Sequence, residues 1–194
     1  MNLLEQAGSL LRLTRSHDIA RRYFVVNGFD GALAMLGLII GFLVSTPAEL
    51  SVIINVCLGA AIALGMSGVS SAYISEVAER RHALVKLEAA MVTDLKNSAH
   101  GEAARRVPLL IALVNGAAPL VISLIILIPL WLAAAGIQLP LSPLYASIIF
   151  AGVRIFLLGV FLGRIADISW LRSGIQTLLV AFITAALIYL FTGH

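Results

Sequence analysis

An aspartate at the start of an uncharged apolar run, Asp30 within Asn27-Gly28-Phe29-Asp30-Gly31, has the clearest capacity for chemistry in this 194-residue chain. A carboxylate in hydrocarbon is expensive, so one is kept where it pairs with another charge, faces water or touches a transported ion. Arg154 is the one basic residue inside a later apolar run. At 1.5 Å per helical residue, Asp30 lies about 8 Å and Arg154 about 13 Å from the basic ends of their runs, which makes Arg154 a candidate charge partner. A second group of side chains follows the second apolar run: Glu76, Glu79, His82, Glu88 and Met91. Glu79 and His82 form a Glu-x-x-His turn, and carboxylate, imidazole and thioether donors suit ferrous or manganous ions. The same stretch has a structural reading, because Glu76 and Arg80 stand four apart with the acid first and can form a surface ion pair.

Gly65-Met66-Ser67-Gly68 resembles the serine element of rhomboid intramembrane proteases. A serine nucleophile needs a base within hydrogen-bond reach, yet His17, His82, His100 and His194 all lie outside the apolar runs. The chain is therefore not expected to be an enzyme. Gly59, Ala63, Gly65, Ser67, Gly68 and Ser71 read instead as surface for close helix packing.

The elements that must position these residues follow from composition. Hydrophobic residues make up 60% and charged residues 12% of the chain, with a mean hydropathy of +1.02, against roughly 25% charged residues in a soluble domain. The fold class expected is an all-α membrane protein with five transmembrane helices, over residues 25–44, 52–72, 108–135, 144–163 and 173–191, since each run approaches the about 20 residues a bilayer core requires. Pro119 and Pro129 are expected to kink or break the third. Cys57, the single cysteine, excludes a disulfide within the chain and a cysteine-based metal cluster.

Arginine and lysine flank one set of ends only: Arg12, Arg15, Arg21 and Arg22 before the first run, Arg80 to Arg106 between the second and third, Arg164 and Arg172 between the fourth and fifth. The opposite loops carry neither, so the N-terminus is expected in the cytoplasm and the C-terminus outside. The net charge of +3 then reports topology and contact with anionic membrane lipids, with no nucleic-acid signal. Short loops suggest a prokaryotic plasma membrane.

Residues 1–24 read as a cytoplasmic interfacial helix, because Leu3, Leu4, Ala7, Leu10 and Leu11 recur at near-helical spacing. Residues 25–72 hold transmembrane helices 1 and 2, 73–107 a cytoplasmic helical segment, and 108–194 helices 3 to 5. No glycine or proline separates the second run from residues 73–98, so one helix is expected to leave the membrane and continue. Val77, Leu84, Leu87, Met91 and Leu95 make an apolar stripe on that extension. Its partner is expected to be the same helix of a second subunit or the segment 100–107. A faint repeat also appears: Val26-Asn27-Gly28 recurs as Val114-Asn115-Gly116, as two-helix units used twice in one orientation would require.

The Asn27 to Gly31 motif opening the first run, the small-residue second run reaching Ser75, and the acidic helix that continues it together resemble the vacuolar iron transporter family, over about residues 20–192. The resemblance implies a dimer whose first helices line a path for Fe2+ or Mn2+ driven by proton antiport, with metal transported and none bound permanently. It implies an ion or proton path at Asp30, Asn27, Met66 and Ser67, and metal binding by cytoplasmic glutamates at Glu76, Glu79 and Glu88. The family pattern also includes an acidic residue within the second run and a Ser-Met step near its end; residues 52–75 contain neither. Two alternatives remain beside iron or manganese export: transport of a different solute, and a non-transporting membrane interaction protein.

Overall fold

A computed structural model describes residues 16–45 and 47–192. Among these it contains five helices and no strand: α1 (Ser16–Val44), α2 (Leu50–Met91), α3 (Ala99–Ala134), α4 (Pro143–Ile165) and α5 (Trp170–Thr192). All five are long and apolar enough to cross a membrane, which fits an integral membrane protein. Residues 1–15, most of the expected interfacial helix, lie outside the described residues; residues 16–24 continue straight into α1.

With no glycine or proline after Gly68, α2 runs unbroken for 42 residues. That is about 63 Å at 1.5 Å per residue, twice a bilayer core of about 30 Å, so α2 carries an arm beyond the membrane. The arm ends at Val92, in the left-handed region at φ 51°. After a short turn, α3 starts at Ala99, with the Ser98 hydroxyl accepting from the Gly101 backbone N–H. The segment 100–107, expected outside the third span, is thus its first two turns. It also supplies the arm's partner: Leu84 and Leu87 face His100, Ala103 and Ala104 across a narrow cleft. Met91 stays outside this contact, 57% exposed.

Pro108, Pro119 and Pro129 all lie inside α3, which remains one helix through each of them. A proline leaves the carbonyl four residues earlier without its helical donor. For Pro119 that carbonyl belongs to Asn115, and it lies against α2 at Gly68, where an added Cβ would come within 3.1 Å of it. Expected breaks at Pro119 and Pro129 are absent, since neighbouring helices can support the freed backbone.

The core forms where α1, α3 and parts of α2, α4 and α5 converge, around Met35, Ile39, Cys57, Ile126, Leu130 and Ile155, all fully buried. The main seams pair α2 with α3, α1 with α3, α4 with α5, and α1 with α4, while α1 and α2 touch sparingly. The two-helix units are therefore crossed, each inner helix packing on the outer helix of the other unit. Gly28 of α1 meets Leu158 of α4, and its repeat counterpart Gly116 of α3 meets Val69 of α2. Between the inner helices, Asn27 meets Asn115 and Gly31 meets Pro119, both pairs 88 residues apart (119 − 31 = 88). That constant offset is what two parallel helices related by an axis along the membrane normal produce.

Candidate functional site

Asn27 lies one turn before Asp30 and faces the bundle. Its side-chain amide donates to the Tyr23 carbonyl at 3.0 Å and to the Asn115 side-chain oxygen. Asn115, 4% exposed, donates in turn to the Gly68 carbonyl at 2.7 Å. This chain of amides ties α1, α3 and α2 together inside the apolar region. It is possible because Gly65, Gly68 and Gly116 let α2 and α3 approach: a Cβ on Gly116 would lie 2.3 Å from Val69 Cγ2 and 2.4 Å from the Gly65 carbonyl. Asn115 was outside the expected site, although its place in the repeat marked it.

Asp30 points the other way. Its carboxylate is exposed on the surface of the chain, at a cleft of about 160 Å³ between α1, α4 and α5, among Phe29, Leu158, Gly159, Leu162 and Thr177. Thr177 donates to the Ile155 and Gly174 carbonyls, so Asp30 is the free polar group there. The expected pair with Arg154 does not form: among the described residues no ion pair joins the two. The reason is height, since Asp30 sits beside residues one and two turns along α4 from Arg154, a displacement of about 6–12 Å. Met66 is 60% exposed and Ser67 also faces outward on α2. Because α1 and α2 touch sparingly, the chain leaves these two apart from Asp30.

The candidate donors on the arm disperse. Glu76 is 5% exposed and accepts from Arg80 Nε at 3.1 Å, which makes the structural reading of that pair the observed one and buries it against α3. Glu88 accepts from the Leu95 backbone N–H at 3.0 Å and holds the turn that follows the arm. Glu79, His82 and Met91 are exposed. Among the described residues, no three His, Cys, Asp or Glu side chains converge on a point that could hold a metal ion. The sequence spacing placed Glu79 and His82 on one face, but packing turned Glu76 toward α3.

The chain is 30% identical over 180 residues, 91% of each chain, to Uncharacterized protein MJ0645 of the archaeon Methanocaldococcus jannaschii. It belongs to the same family as that archaeal protein. No family model and no solved structure matches. The shared length takes in nearly the whole bundle, so the relationship covers the arrangement of helices that carries Asp30.

Proposed function

We propose that this chain is the protomer of a homodimeric secondary transporter that exports Fe2+ or Mn2+ from the cytoplasm by proton antiport, with Asp30 in the ion or proton path. The observation that supports it is a carboxylate inside a helix apolar enough to cross a membrane, exposed on the surface of the chain and in no ion pair among the described residues. Left against lipid it would be strongly unfavourable, and a water-lined path between two copies removes that penalty. The outward faces of Met66 and Ser67 fit the same reading, since a second copy could bring that thioether and hydroxyl toward the acid. Carboxylate and hydroxyl oxygens with one thioether suit a ferrous or manganous ion. Protonation neutralises the carboxylate and releases the cation; loss of that proton restores the ligand, which couples the two fluxes.

A second reading applies to the arm. With Glu76 bound to Arg80 and Glu88 to the Leu95 amide, the arm is better suited to packing and docking than to collecting metal. Proteoliposomes with a proton gradient separate transport from pure interaction. The expected outcome is Fe2+ or Mn2+ flux that Asp30→Asn lowers by at least about tenfold, the loss of roughly 1.4 kcal/mol or more of coupling. Equal flux in that variant rejects the proposal, and absence of both flux and metal binding in the wild type leaves the interaction reading.

A further inference from the structure

Where α2 leaves the membrane, a cleft of about 460 Å³ opens between the arm and the start of α3. Its floor is apolar, Val77 and Leu84, and its rim is basic, Arg81, Lys96 and Arg105, with Tyr73 at the membrane end. No acidic residue lines it. The carboxylates nearby are paired: Glu76 with Arg80, Glu102 with Arg106 at 3.0 Å, and Asp94 with the rim residue Lys96 at 3.6 Å, which leaves Arg81 and Arg105 as the cations to be matched. Arg81 and Arg105 meet no carboxylate among the described residues. Arg105 is held in place, for its Nη2 donates to the Lys96 carbonyl at 2.9 Å. That carbonyl is fixed in turn by close packing on Gly101, where a Cβ would come within 2.4 Å of it.

Two guanidiniums aimed into one cleft without a counter-charge repel each other unless an anion lies between them, and guanidinium binds phosphate oxygens through paired hydrogen bonds. The position is also specific. Tyr73 directly follows the last apolar turn of α2's span, at the level of lipid headgroups, where an aromatic ring with a polar tip is favoured. Val77 and Tyr73, on the membrane side of the two cations, match a molecule with a phosphate above and hydrocarbon beneath. We infer that this cleft seats the headgroup phosphate of an anionic glycerophospholipid, on Arg81 and Arg105, with its glycerol and upper acyl carbons against Val77 and Tyr73, on the membrane side of both cations. This site is independent of Asp30 and of the transport reading.

The test uses the full chain in an uncharged detergent, washed free of lipid, with thermal unfolding followed as phosphatidylglycerol, phosphatidylcholine or inorganic phosphate is added. Phosphatidylglycerol should raise the midpoint saturably, and the other two should not. Arg81→Gln combined with Arg105→Gln should weaken the half-saturating phosphatidylglycerol concentration about tenfold or more, as the loss of two cations near a headgroup predicts. Arg106→Gln, whose guanidinium faces Glu102, should leave it unchanged. Should the double variant fail to fold, Arg81→Gln alone, at an exposed position, is expected to weaken binding about fivefold. An equal response to phosphatidylcholine, or unchanged affinity in the Arg81 variants, overturns the inference. Saturation by inorganic phosphate at the same residues overturns it too, in favour of a soluble anion.

Discussion

Asn115 shows how one amide can fix the relation of three helices. It accepts from Asn27 of α1 and donates to the Gly68 carbonyl of α2, so its removal breaks both of these bonds between helices inside the apolar region. Asn115→Ala should destabilise the protein by about 1–2 kcal/mol, the range for two lost interhelical hydrogen bonds in a membrane bundle. Asn27→Ala should cost less, because it breaks one bond between helices and leaves the Asn115 bond to Gly68 in place. The double variant should fall well short of the sum, since both changes remove one shared bond. Unfolding in mixed detergent would measure all three, and strict additivity would show that the amides do not act together.

At the scale of the helices, the arm of α2 and the start of α3 form one hairpin whose turn rests on Gly101. A side chain there would meet the Leu95 and Lys96 carbonyls at 2.5 and 2.4 Å. Gly101→Ala is therefore expected to push the turn away and loosen the arm while the membrane helices stay intact. Limited trypsin treatment gives the measurement: cleavage after Lys86 and Lys96 should accelerate severalfold over wild type, with no new cuts within 108–165. The same turn relies on Asp94, whose carboxyl lies below the usual aspartate range because it accepts the Lys96 backbone N–H. A lowered folded pKa means that its contribution is complete above the ordinary value and fades as pH falls through the lowered one. Acid therefore loosens this turn, and neutral pH does not.

For the whole molecule, the distribution of basic residues sets the expected orientation. With Cys57→Ala as background, a cysteine placed at Lys96 should resist a membrane-impermeant maleimide in intact cells, and one placed at Ile137 should react. The reverse pattern would invert the topology and place the arm, the basic cleft and the proposed metal entry on the outer side. The proposed homodimer belongs to this scale as well, because Asp30, Met66 and Ser67 all sit on outward faces of the chain.

Five spans, the continuous arm, its apolar stripe and the Val-Asn-Gly repeat were all legible from local pattern. Hydropathy reports which residues leave water, and uninterrupted helix formers report where a helix continues; both are properties of neighbouring residues. The faces were not legible, because lipid is as apolar as a neighbouring helix and gives no periodic contrast around a span. Only the folded bundle decided that Asn27 turns inward to Asn115 while Asp30, three residues on, turns outward, and that Arg154 lies too far along α4 to reach it. Only packing, too, set Glu76 against α3 and Arg80, because the rotation of a long helix about its axis is fixed by close contacts such as Gly68 on Gly116 and by no signal within the helix itself.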